Sequence, residues 1–436
     1  MLALASFSMV AVFMALIMTK RLSAITALIL VPTIFAICLG FSANLGAMIV
    51  DGVSALAPTG VGLIFAILFF GVMIDAGLFE PLVAATLKLV RDDPVRVLVG
   101  TAILALLVSL DGDGATTYMI TISALLPLYK RLSLDVRKLA AIVVLANGAM
   151  NVVPWAGPTV RVASVLRIDP REIFIPLALP LSGVVAWVIC LAWFLGRRER
   201  KRLSAGRLEE VIVPSEAADA EAPDQLTVPA WRKMANVALT LAVLGGLVSG
   251  LLPTLAVFVL GTAVALVLNF PDVERQRETF ARHGNNALSV GGMVFAAGVF
   301  TGIMSGTHMI DAMAHSVVTT IPASLGPYLA SITALLSIPF TFFVSNDAFY
   351  FGVLPVLAEA GGRYGIEPAT IGRAALIGQS VHLLSPLVPS AYLLVGLAGI
   401  DFATFQRFTL KFALVSSLVF LAIAMVVGVV PISLNH

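Results

Sequence analysis

Three aspartates sit where an apolar chain tolerates them least. Asp111 and Asp113 interrupt a hydrophobic stretch at LDGDGATT, and Asp347 interrupts another at VSNDAF. An ionisable side chain inside a bilayer costs ~2.5–3.5 kcal/mol or more, so each needs a partner, a cation or a proton. Two chemistries fit. The carboxylates can hold an ion or carry a proton beside the hydroxyl and amide groups of Thr116, Thr117, Ser345 and Asn346, or they can simply cap the helices that follow.

A second set of polar residues surrounds prolines in two other apolar stretches. Pro154 and Pro158 in one, and Pro386 and Pro389 in the other, remove backbone donors and free carbonyls in mid-segment, and Gly157 permits unusual dihedrals. Around them lie Asn147, Asn151, Thr159 and Arg161, and Gln379, Ser380, His382, Ser385 and Ser390. Asn151, Gly157, Thr159 and Ser385 here, with Thr116, Thr117, Ser345 and Asn346 beside the aspartates, are candidate substrate ligands, and Asn147 and Gln379 are further possible ones. Arg161 has three options: an anion, a carboxylate, or snorkelling to the interface. His382 can relay protons or serve as a buried hydrogen-bonding residue. No zinc-protease, nucleophile-elbow, phosphate-loop or dinucleotide motif appears, so an enzyme is not expected.

The elements that position these groups are membrane helices. The chain has 436 residues, 59% hydrophobic and 12% charged, against about 25% charged in soluble domains. Cys38 and Cys190 lie in apolar runs and read as packing residues; no basic tract interleaved with aromatics suggests nucleic acid. Apolar runs at 2–18, 23–41 and 58–80, a hairpin at 95–129 broken at DGDG, an interrupted helix at 138–166 and a helix at 172–196 form a first half. A second repeats it: 234–251, 253–270, 287–307, a hairpin at 326–358 broken at SND, an interrupted helix at 370–399, and 411–432. Asp135 matches Glu367, Asn147 matches Gln379, Pro154 matches Pro386 and Asp169 matches Asp401, at an offset of 231–232 residues. That is the mark of a duplication. The expected fold is therefore an all-α polytopic membrane protein of two repeats, residues 1–196 and 234–436, joined by a polar linker at 197–233.

Each repeat has five crossings, one of them interrupted, plus a hairpin. An odd count forces the repeats to be inverted, an arrangement typical of secondary transporters. With the linker in the cytoplasm, 22 of the 27 Lys and Arg residues fall on that side, which places both termini outside.

Four segments then carry a family resemblance: SLDGDGATTYMITISALLPLYKRL, NVVPWAGPTVR, SNDAFYFGVLPVLAEA and GQSVHLLSPLVPSAYLLVGLAG. Together they resemble the signature segments of the citrate-metal:proton symporter family, within the ion transporter superfamily. The resemblance implies a homodimeric elevator carrier in the inner membrane that moves citrate or a related tricarboxylate with a divalent cation and protons, and needs no bound cofactor. Sodium-coupled relatives carry Ser-Asn-Thr at both hairpin tips; here Asp347 follows Ser345 and Asn346, and Asp113 and Gly114 stand in the first tip. Charge supports a metal complex. Citrate is roughly a trianion, and like charges ~4 Å apart repel by ~4 kcal/mol at an effective dielectric of 20. A divalent cation of the Mg or Ca type lowers the net charge to about minus one. The competing readings are a cation/proton exchanger and a sodium-coupled di- or tricarboxylate symporter.

Overall fold

The computed structural model describes residues 2–19, 21–90, 93–205, 229–249, 251–320 and 323–433, and among these every regular element is helical. The first half runs α1 (Leu2–Met18), α2 (Ala24–Cys38), α3 (Leu45–Asp75), α4 (Glu80–Val90), α5 (Pro94–Val108), α6 (Gly114–Arg131), α7 (Val136–Met150), α8 (Gly157–Leu166) and α9 (Pro170–Ala205). The second runs α10 (Ala230–Ser249), α11 (Thr254–Asn269), α12 (Val273–Gly306), α13 (Met309–Thr320), α14 (Leu329–Phe343), a π-helical turn (Ala348–Val353) leading into α15 (Leu354–Gly362), α16 (Pro368–Ala375), α17 (Gln379–His382), α18 (Pro389–Ala398) and α19 (Phe402–Val426). Among the described residues, six helices are long and apolar enough to cross a membrane.

Several matched positions are helix caps. Asp169 accepts from the Arg171 N–H at 2.8 Å at the start of α9, and Asp401 from the Thr404 N–H at 2.9 Å at the start of α19. Asp135 caps α7 through the Arg137 N–H. Both short helices after the breaks, α8 and α18, begin with Pro in the first turn and end on a left-handed residue, Arg167 (φ 56°) and Gly399 (φ 66°). These local signals recur because each satisfies backbone groups that a helix end leaves open.

Some boundaries differ from expectation. The helix expected at 58–80 is α3, which starts at Leu45 and carries Pro58 inside it. The one expected at 287–307 is α12, whose polar first turns extend back to Val273 under an Asp272 cap. The helix expected at 411–432 is α19, set instead by the Asp401 cap and ended before Gly428 (φ 78°). Two short helices, α4 and α13, are not marked by an apolar run of their own. Cys38 and Cys190 are exposed on the periphery rather than packed.

The 197–233 linker begins inside α9, which continues to Ala205; residues 206–228 lie outside the described residues. The basic run RRERKR is docked. Glu199 is fully buried, bonded by Lys138 and by Arg202 at 2.7 Å, while Arg200 reaches Asp93 at 2.6 Å. The end of α9 thus grips the bases of α5 and α7.

The long α3 and α12 cross in close backbone contact. A Cβ at Gly52 would lie 2.1 Å from the Gly298 carbonyl oxygen, and one at Gly302 would lie 2.2 Å from that of Met48. In lipid, association rests on such packing rather than on hydrophobic exclusion. Around this crossing lie α1, α2, α10 and α11, while the two hairpins pack with the interrupted helices: α5 and α6 against α7, α14 against α16 and α17, and α6 against α18. The return arm of the second hairpin has six π-helical and nine α-helical residues, ~22 Å at 1.5 Å each, too short for ~30 Å of hydrocarbon.

Candidate functional site

Both hairpin tips and both helix breaks converge, through side chains that reach across the halves. At the first tip, Asp113 is the N-cap of α6: its Oδ1 accepts from the Ala115 N–H (3.3 Å), and its Oδ2 from the Thr116 N–H (3.0 Å) and hydroxyl (2.7 Å). Asp111 accepts from the Asp113 N–H at 2.9 Å, and its other oxygen is buried without a partner. Thr117 donates within the hairpin, to Ser109 Oγ or the Asp113 carbonyl. The Trp155 indole N–H, from the first break, donates to the Leu110 carbonyl at 2.8 Å and fastens the tip.

The second tip reaches outward instead. Ser345 Oγ accepts from the Ala348 N–H at 3.2 Å, and Asp347 Oδ1 accepts from Arg161 Nε at 2.6 Å, across 186 residues. That ion pair is mostly buried, with 25% of the Arg161 and 19% of the Asp347 side chain exposed. Gly157 stands beside it, where a Cβ would lie 2.8 Å from Arg161 Nη1.

Between the tips the amides form a bridge. Asn151 donates to Gln379 at 3.0 Å, and Gln379 turns its own amide N–H groups to Tyr350 and, at 3.4 Å, to Asn346. Asn147 donates to the Tyr118 hydroxyl at 3.1 Å. Tyr118 and Tyr350 are both fully buried and stand 232 residues apart, so each half carries the same amide–tyrosine bond. Sequence reasoning missed both tyrosines, although the repeat offset pairs them. Gly114 is needed on the first side, since a Cβ there would lie 2.8 Å from Asn147 Nδ2 and 3.4 Å from Ser390 Oγ.

Three expected residues stand apart from this network. Ser385 accepts from the Leu387 N–H at 3.2 Å, a local cap at the second break. His382 holds the Thr341 carbonyl through Nδ1 at 2.7 Å, which requires that nitrogen to carry the proton and ties α17 to α14. Thr159 is buried with no hydrogen-bond partner, as is Ser164 further along α8. Buried polar atoms are normally satisfied, so these hydroxyls have capacity for a ligand or water. Among the described residues no three His, Cys, Asp or Glu side chains converge on a metal position.

An apolar helical bundle with two hairpins ending inside it, two broken helices and a charged pair at their meeting point is the architecture of a multi-pass membrane transport protein. The profile of the citrate transporter family matches residues 13–378. The chain belongs to that family, and is a transporter rather than an enzyme. It is 52% identical over 430 residues to a citrate transporter of Bacillus subtilis strain 168, covering 99% of this chain and all of the relative. It is 46% identical over 438 residues to the Mg(2+)/citrate complex secondary transporter of the same organism, again over 99% of this chain and all of the relative. In fold it is similar to the Alcanivorax borkumensis YdaH transporter, with a TM-score of 0.62 at 18% identity over 90% of each chain.

Proposed function

We propose that this protein is a secondary active carrier that moves citrate as a complex with a divalent cation of the Mg or Ca type, coupled to protons, by alternating access. The observation that carries this reading is the charge balance where the halves meet: Asp111, Asp113 and Asp347 against Arg161. An excess of carboxylate opposes a free trianion and favours a cargo that brings its own cation. The relative named for the Mg(2+)/citrate complex supports the same cargo. Asn151, Gly157, Thr159, Ser345, Asn346 and Gln379 are the proposed substrate contacts. Asp347 and the open oxygen of Asp111 are the proposed coupling groups, while Asp113, Thr116 and Thr117 shape the first tip.

The same reading makes residues 1–196 and 234–436 inverted repeats of an elevator, working as a homodimer in the inner membrane with both termini outside. Uptake of labelled citrate into proteoliposomes tests it. Uptake should require Mg or Ca, rise with an inward proton gradient and vanish on chelation of the metal. Undiminished uptake of metal-free citrate would instead favour a sodium-type carboxylate carrier, and metal flux without citrate a cation/proton exchanger.

A further inference from the structure

The Arg161–Asp347 pair is under-committed for its position. A guanidinium and a carboxylate can make two parallel bonds, yet one, from Nε to Oδ1, joins them, and Arg161 Nη1 and Nη2 and Asp347 Oδ2 make no other hydrogen bond to the described residues. Arg161 also lines a cavity of about 170 Å3 between α8 and α12, bounded by Gly157, Ser164, Ser289, Met293 and Phe351. That is room for several waters or for a carboxylate group of a small acid. Ser164 is 1% exposed, and its Oγ is one of the hydroxyls without a partner. Gly157 keeps the space beside Nη1 open. An anion-binding group with spare donors, a buried hydroxyl with spare capacity and a cavity thus meet beside the pair, with Phe351 of the hairpin as one wall.

A metal–citrate complex carries both signs of charge. Its uncoordinated carboxylate competes with Asp347 for Arg161, and its cation competes with Arg161 for Asp347. Free citrate supplies only the first half of that exchange and strands Asp347 as an unpaired carboxylate beside an anion. Bare metal supplies only the second and strands Arg161. The complete complex satisfies both.

Resting on the metal–citrate reading above, we propose that Arg161 and Asp347 exchange partners on binding: a citrate carboxylate takes Arg161 and enters the α8–α12 cavity with a hydrogen bond from Ser164, and the cation takes Asp347. The pair then selects for a complete cargo. It also links the halves, since the bond broken joins α8 to the second hairpin and the bonds formed run through the cargo.

Equilibrium binding to the purified full-length protein in detergent tests this, with Mg–citrate, citrate in EDTA, and Mg alone as the three probes. The wild type should bind Mg–citrate roughly tenfold or more tightly than either component. Asp347→Asn leaves no carboxylate to strand, so free citrate should bind nearly as well as Mg–citrate and the ratio should fall toward one. Arg161→Gln should lose citrate with or without metal, and Ser164→Ala should weaken Mg–citrate several-fold without changing the ratio. If Asp347→Asn does not fold, Asp347→Ser, which keeps Arg161 and offers it a hydroxyl acceptor without a carboxylate, should likewise bind citrate with no metal preference. An unchanged metal ratio in whichever of these two variants folds overturns the exchange and makes the pair structural. A wild type with no preference for the complex overturns the cargo reading instead.

Discussion

The two hairpin tips both present aspartate, but the repeat does not make those aspartates equivalent. At the offset of 232, Asp113 corresponds to Ser345 and Asp347 to Ala115. The structure follows that register. Asp113 has extended dihedrals (φ −112°, ψ 121°) and caps α6, and Ser345 does the corresponding work by accepting from the Ala348 N–H. Asp347 is already helical (φ −62°, ψ −46°), so its carboxylate is free to reach Arg161. Arg161 has no basic counterpart either, since the offset lands on Leu393. A symmetric frame of caps, amides and tyrosines therefore carries one asymmetric ion pair. The frame builds the tips, and the pair supplies the charge that a cargo can contest.

The largest effects should fall on the asymmetric side. Asp347→Ala leaves Arg161 without its counter-ion; a fully buried pair would cost 3–5 kcal/mol, and the partial exposure here reduces that to about 1–3. Uptake should be lost along with it. Asp113→Ala removes a cap worth ~1 kcal/mol, and Asp113→Asn only a few tenths, with transport and its pH dependence largely kept. Thermal unfolding beside proteoliposome uptake measures both, and loss of pH dependence in folded Asp113→Asn would erase the distinction between the tips.

A smaller effect probes the frame. Tyr118→Phe and Tyr350→Phe each remove one buried amide–hydroxyl bond, so each should destabilise by ~1 kcal/mol and by similar amounts. Unequal costs, read from the unfolding midpoints, would show that the amide bridge from Asn151 to Gln379 loads one half more than the other.

The smallest lies at the hairpin base, far from both tips. Hydrogen bonding from Arg200 holds the Asp93 carboxyl below its ordinary value. Because the folded-state pKa is depressed, the pair stabilises above the unfolded pKa near 3.8, and its contribution disappears as pH falls through the lower folded value. Because Arg200 is exposed, the pair should contribute little and weaken with salt. The difference in unfolding midpoint between wild type and Asp93→Asn, followed from pH 7 downward, checks this; a difference that grows on acidification has the wrong sign.

The apolar helices, the hairpin breaks and the proline-broken helices were legible in the sequence, because each rests on local chemistry: hydrophobic length, a cap, a proline or a glycine read within a few residues. It also brought the chemically active side chains into view, since charge in an apolar run has few innocent explanations. Sequence could not assign those charges. Whether Asp113 caps or couples depends on the dihedral at one residue, and whether Arg161 meets Asp347 or the interface depends on how chain segments 186 residues apart are docked. Likewise the basic run after 196 has linker composition, yet Lys138 buries Glu199 within it, because a charge reads as solvated until a distant partner is placed beside it. Folding sets these pairings, because an ion pair is a property of two positions in space and a sequence specifies each of them separately.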